Sequence, residues 1–145
     1  MKSLSLSKLT KKAEHLQRDI IFLEQGKVCE VPGCRESAYC LDHVFSRQNR
    51  ELFFDRANLV RICRGHHRSK TRGWHGVLLK VYDYIRDRNG IKKFNQMWNI
   101  DKNRVPWDGW NRNYINSKIQ EFKKNTVGAY RRRYGQCRSG IDTID

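Results

Sequence analysis

Asp42-His43, Asn58 and the run Cys63-Arg64-Gly65-His66-His67 are residues whose types and order can hold one metal ion and activate one water beside it. A carboxylate and an imidazole are divalent-metal ligands. A further imidazole, ordinarily titrating near pH 6.5, can take a proton from water at neutral pH. Arg47, Arg50, Arg56, Arg61, Arg64, Arg68, Lys70 and Arg72 are interleaved with them. A metal-and-base constellation set among cations suits hydrolysis of a phosphodiester. Asp42 and His43 adjoin at the end of an expected strand, where successive side chains leave on opposite faces. One of them therefore ligates metal while the other does a separate task. His66 and His67 diverge by about 100° on a helix, so one can face a structural metal and the other the cleft.

A second metal is suggested by Cys29, Cys34, Cys63 and His66, in the spacings Cys-x4-Cys and Cys-x2-His. Thiolate and imidazole are the ligands zinc prefers, and Pro32-Gly33 between the first two cysteines makes the tight turn of a metal knuckle. Zinc here would staple the elements that carry the first constellation. Cys40 is expected to be buried, and Cys137 receives no role. His15 and His75 fall outside the pattern and read as packed or exposed histidines.

The chain has 145 residues, with 38% hydrophobic residues and 30 Lys+Arg against 15 Asp+Glu, a formal net charge of +15. That excess opposes compaction unless a polyanion neutralises it, and nucleic acid is the obvious one. The core is expected to be small, with Trp74, Trp98, Trp107 and Trp110 as its large candidates. No apolar run is long enough to span a membrane, and Met1 to Leu9 lacks the apolar stretch of a secretory signal. An intracellular, reducing compartment is therefore expected, where cysteines ligate metal more often than they form disulfides.

Leu9, Ala13, Leu16, Ile20 and Leu23 predict an amphipathic helix over about 8 to 25, with Ser7 near its cap and Gly26 as its stop. Strands are expected over Ala38–Val44 and Asn58–Ile62, with a polar loop over 45–56 between them and a helix from about Gly65. Val77, Leu78, Val81, Tyr84 and Ile85 mark a helix that Asn89-Gly90 ends, and Ile91, Phe94, Met97 and Trp98 mark another. An ordered loop is expected over 101–113. Ile115, Ile119, Phe122 and Tyr130 mark a last basic helix, broken near Gly128, before a loose tail. Four regions follow: an N-terminal basic helix (1–26), a metal-bearing core (27–75), a helical DNA-binding extension (76–134) and a tail (135–145).

Asp42-His43, Asn58 and Cys63-x2-His66-His67-x2-Lys70 together resemble the HNH endonuclease family. In that family an Asp-His pair opens the motif, an Asn follows, and Cys-x2-Cys-His-x2-Lys closes it. The resemblance covers about residues 29 to 71. His66 departs from it, standing where the family usually has a second cysteine. The resemblance implies an α+β fold, a zinc-stapled ββα-metal (His-Me) finger with flanking N- and C-terminal helices. It implies DNA cleavage to 5′-phosphate and 3′-hydroxyl ends, with His43 as general base. Asp42 and His67 would hold a catalytic Mg2+ or Mn2+, and Asn58 would fix the loop and orient His43. Structural Zn2+ falls to Cys29, Cys34, Cys63 and His66. Arg47, Arg50, Arg64, Arg68, Lys70 and Arg72 would reach phosphates, and Lys123, Lys124, Arg131, Arg132 and Arg133 would add a clamp. DNA is the expected partner, for a monomer or a homodimer. Residues 74–98 are similar in pattern to the helical tail of phage recombination-associated HNH nucleases, which implies branched or recombination DNA as one substrate. A free-standing homing-type or restriction-type nuclease is equally open. A phage or mobile element fits the size and motif, with cytoplasm, or host cytoplasm if phage-encoded, as the expected location. The alternative is a non-catalytic, zinc-stabilised DNA-binding module.

Overall fold

The computed structural model describes residues 4–68, 78–103 and 110–134. Helix α1 is Leu6–Gln25, strand β1 is Cys40–His43 and helix α2 is Arg50–Phe53. A 3-10 turn at Arg56–Asn58 leads into β2, Leu59–Ile62. Helices α3 (Arg64–Arg68), α4 (Leu78–Asn89), α5 (Ile91–Lys102) and α6 (Arg112–Tyr134) follow. Among the described residues the fold is α+β: mostly helix, with one small antiparallel sheet. No helix among the described residues is long and apolar enough to cross a membrane.

The elements from Lys27 to α5 form one compact unit, and α1 with α6 forms another. In the first, β1 and β2 pair with Cys40 opposite Ile62 and His43 opposite Leu59. Tyr39 N–H to Ile62 C=O and Val44 N–H to Asn58 C=O extend the pairing at both ends. Ahead of β1, Cys29 N–H and Ala38 N–H reach Glu36 and Lys27 carbonyls, closing a small loop. Gly33 turns that loop with φ of 80°, a conformation that costs a side-chain-bearing residue energy. Glu30 N–H to Arg61 C=O lays it along β2.

Val60, Ile62, Leu52 and Phe45 form the core of this unit with Val81 and Ile85 of α4 and Met97 of α5. Each such buried apolar side chain contributes about 1.5–3 kcal/mol. Cys29 and Cys63 belong to the same cluster, so the thiols form one wall of the core. Charged groups tie the helices on. Glu30, whose side chain is 7% exposed, pairs with Arg61 at 2.9 Å and Arg88 at 3.1 Å. Arg88 and Asn89 also donate to the Ala57 carbonyl at 2.7 and 2.8 Å. Asn49 caps α2 through the Glu51 and Leu52 N–H groups and donates to Ile100 C=O at 3.2 Å. Lys93 meets Asp55 at 2.8 Å.

In the other unit, Leu9, Ala13 and Ile20 of α1 and Ile115, Ile119, Phe122 and Ala129 of α6 are buried, at helical spacing. Arg112 donates to Leu4 C=O and Arg132 pairs with Glu24, so the helices run parallel.

Several expectations are revised. The 45–56 connection is not a plain loop, because Asn49 and Asp55 each cap a short helical turn inside it. Ser5, not Ser7, caps α1. The strands span four residues each, shorter than the patterns suggested. Helix α6 passes through Gly128 unbroken, since its neighbours stay in register with α1. Cys40 is half-buried because it sits on an edge-exposed two-strand ribbon. Trp98 is exposed, not core. The 76–134 extension is split: α4 and α5 pack into the unit that carries the sheet, and α6 pairs with α1. Trp74, His75, Trp107, Cys137 and the 135–145 tail lie outside the described residues.

Candidate metal centre and adjoining histidine site

Cys29, Cys34, Cys63 and His66 converge, their ligand atoms all within 4.8 Å of one another. Cys29 Sγ lies 3.7 Å from His66 Nδ1, Cys63 Sγ lies 3.2 Å from it, and the Cys34 and Cys63 sulfurs are 4.0 Å apart. Ligands on a tetrahedron with bonds of about 2.3 Å lie about 3.8 Å apart, so these four could hold a metal ion such as zinc. Two local devices build the cluster. Cys34 N–H reaches Val31 C=O in the Gly33 turn, and α3 brings His66 back over Cys63. Burial pushes the Cys29 thiol up to about 11, against partial relief from the Val31 and Cys63 N–H groups. At Cys63 burial also pushes upward. The His66 N–H, the Cys29 and Cys34 thiols and the Gly65 N–H outweigh it and hold this thiol below its ordinary value. Cys63 is thus more easily ionised than Cys29, and a bound cation would favour ionising Cys29.

His43 ends β1. Its Nε2 meets the Phe53 carbonyl at 2.9 Å, and its ring lies 4.8 Å from the Phe53 ring. A carbonyl only accepts, so Nε2 carries the proton and Nδ1 keeps its lone pair. Nδ1 is buried and has no hydrogen-bond partner. Burial lowers the imidazole to about 4; the Phe53 carbonyl and the Asp42 carboxylate oppose that shift, and Arg47 adds to it. His43 is therefore neutral at pH 7.

Asn58 is fully buried. Its Oδ1 accepts from Phe45 N–H at 2.7 Å and its Nδ2 donates to Leu52 C=O at 3.0 Å. It thereby joins the two ends of the β1–β2 connection. Leu52 immediately precedes Phe53, so the bond to Leu52 sets the carbonyl that orients His43. Asp42 is buried opposite Val60, and its Oδ1 accepts from His43 N–H at 2.9 Å. His67 is half-buried on α3, its N–H bound to Cys63 C=O and its ring 6.0 Å from Tyr39. Adjacent on that short helix, His66 faces the thiols, whereas His67 Nδ1 is not among the ligand atoms of that cluster.

The cations divide. Arg47, Arg50, Arg64 and Arg68 are exposed around this region, with Arg47 over the Phe53 ring at 5.6 Å. Arg61 is held by Glu30 and is a structural residue. On α6, Lys124 and Arg131 are exposed, Lys123 is half-buried, and Arg132 carries the ion pair to Glu24. Lys70, Arg72 and the Arg133 side chain lie outside the described residues. Sequence reasoning missed Asn49, although Asn directly before Arg-Glu-Leu is an N-cap signal. It also missed Glu30 and the Phe53 carbonyl. No local pattern marks these, because their partners lie up to 58 residues away.

Comparison with family models, with curated proteins and with solved structures finds no match for this chain.

Proposed function

We propose that this protein is an HNH-type DNA endonuclease that hydrolyses phosphodiester bonds with a histidine general base and a single divalent ion. The observation that carries the reading is His43. It is a neutral imidazole with one nitrogen fixed by a backbone carbonyl and the other a buried lone pair with no hydrogen-bond partner, beside a buried carboxylate. A histidine held this way is prepared to take a proton. The motif around it supports the same reading, as does the two-strand ribbon followed at once by α3.

Zinc is assigned to Cys29, Cys34, Cys63 and His66, where it joins the loop before β1 to the helix after β2. Asp42 and His67 would hold the catalytic ion. The Cys/His cluster is the only group of three or more ligand side chains among the described residues. Asp42 and His67 thus supply two donors, one oxygen and one nitrogen. That set fits a Mg2+ or Mn2+ which keeps waters and takes a substrate phosphate. When bound, such an ion supplies charge stabilisation at the phosphate and at the leaving oxygen.

His43 Nδ1 accepts a proton from the water that attacks phosphorus. The P–O3′ bond breaks, leaving a 5′-phosphate and, after protonation from solvent, a 3′-hydroxyl. The Phe53 carbonyl holds the tautomer this requires and favours the imidazolium that forms. Exposed Arg47, Arg50, Arg64 and Arg68 position the backbone without reading sequence.

The test is cleavage of supercoiled plasmid by zinc-loaded protein, with and without Mg2+ or Mn2+, for wild type and His43→Ala. The expected result is divalent-dependent nicking or linearisation, slowed about 10²–10⁴-fold in the variant. Equal activity of His43→Ala would refute the assignment. DNA binding without cutting of plasmid, branched DNA or RNA would point to the non-catalytic zinc-stabilised DNA-binding module.

A further inference from the structure

Trp98 sits on α5 with 43% of its surface exposed, although tryptophan normally buries most of its area. It is nevertheless held in place. Phe94 lies near-parallel to it at 6.1 Å, Tyr82 meets it edge-on at 5.5 Å, and Phe45 does so at 6.2 Å. Phe45 and Tyr82 are themselves stacked at 5.6 Å. An exposed indole backed by three rings loses little entropy when something settles on it.

The surroundings indicate what that would be. Residues 27–108 carry 17 Lys and Arg against 9 Asp and Glu. Lys92 and Lys102 are exposed on the same helix, Lys102 one turn beyond Trp98. Asp101 acts on Tyr82 instead, adding to burial in raising that phenol. An aromatic face among cations suits a base with its phosphate. Within a duplex, neighbouring bases cover each other's faces, so only an unpaired or extruded base offers one. The platform also adjoins the histidine site. Phe45 follows His43 by two residues, a Cα separation of at most about 7 Å, and its N–H is held by Asn58.

We infer that Trp98 is a stacking platform for an unpaired nucleobase a few nucleotides from the phosphate at His43, so that the favoured substrate is DNA with a single-stranded flap or branch. This rests on the endonuclease reading above.

The experiment measures fluorescence anisotropy of zinc-loaded full-length protein, without Mg2+ or Mn2+. Three labelled DNAs are compared: a blunt duplex, the duplex with a short thymidine flap, and the duplex with an equal flap of abasic sites. Equal phosphate number in the two flaps separates stacking from charge. Wild type should bind the thymidine flap about tenfold more tightly than the abasic one. Trp98→Ala should abolish that ratio, and Trp98→Phe should keep most of it. Circular dichroism and zinc content check folding, and Trp98→Leu, which keeps an apolar side chain but has no aromatic face, replaces the alanine variant if that one misfolds. A wild-type ratio near one, or a ratio unchanged in Trp98→Ala, overturns the inference. Plasmid nicking by wild type in that case would leave the endonuclease reading intact, whereas absence of cleavage on every DNA would count against the reading itself.

Discussion

Replacing Asn58 by alanine removes the amide that joins the two ends of the β1–β2 connection. It strands the buried Phe45 N–H, bonded at 2.7 Å, and takes one donor from the Leu52 carbonyl, bonded at 3.0 Å, which keeps the Asp55 N–H at 3.2 Å. A buried backbone group left without a partner costs about 1–3 kcal/mol. The expected loss is therefore about 1–3 kcal/mol, a substantial share of the roughly 5–15 kcal/mol that holds a domain together. Asn58→Asp should lose nearly as much. Its oxygen still accepts from Phe45, but an oxygen now confronts the Leu52 carbonyl where a donor stood. Urea unfolding of the zinc-loaded protein measures the loss. A second reading separates positioning from general damage, namely the ¹⁵N shifts of the His43 ring in the folded variant. The wild type should show Nε2 protonated and Nδ1 free. Loss of the Asn58 bond to Leu52 loosens the adjacent Phe53 carbonyl, so Asn58→Ala should show a tautomer mixture and slower cleavage. A loss below about 1 kcal/mol with the wild-type tautomer retained would refute the reasoning.

Further outcomes are expected at His43, at the Cys/His cluster and at Glu30. His43 titrates near 4 in the folded chain against 6.5 ordinarily. Its neutral form therefore supports the fold fully above pH 6.5, and that support is lost as pH falls through 4. The loss is about 3 kcal/mol, measurable as a urea midpoint between pH 7.5 and 4 that changes less in His43→Gln. Cleavage should correspondingly show no fall from His43 protonation between pH 8 and 5. Zinc content by mass spectrometry should be one ion per chain, and below one in Cys63→Ser. Chelation should melt the sheet-bearing unit, because buried Cys29 and Cys63 are part of its core. Glu30→Ala leaves Arg61 and Arg88 facing each other without their carboxylate and should cost about 3–5 kcal/mol in the same assay; a change under 1 kcal/mol would show the network to be dispensable.

Much of the local architecture was readable from the chain. Gly26 and Gly90 end helices where their spacing indicated. Val81, Ile85 and Met97 are fully buried, as their helical spacing required. Cys29, Cys34, Cys63 and His66 meet as the paired spacings suggested, because each knuckle is closed by contacts only a few residues apart. Trp98 was misjudged because size and apolarity do not say which side of a helix finds partners. Arg61 resembled its basic neighbours until Glu30, 31 residues earlier, proved to hold it.

What the sequence by itself determined, then, is what short-range geometry and periodicity decide: helix faces and stops, the two metal knuckles and the Asp42-His43 pair at a strand end. The tertiary structure alone decided which carbonyl holds His43, that α4 and α5 lock onto the strands through Arg88 and Asn49, and that α6 partners α1. Those outcomes depend on groups 10 to 108 residues apart in the chain. Several of the groups are backbone carbonyls, which every residue carries and no residue type announces.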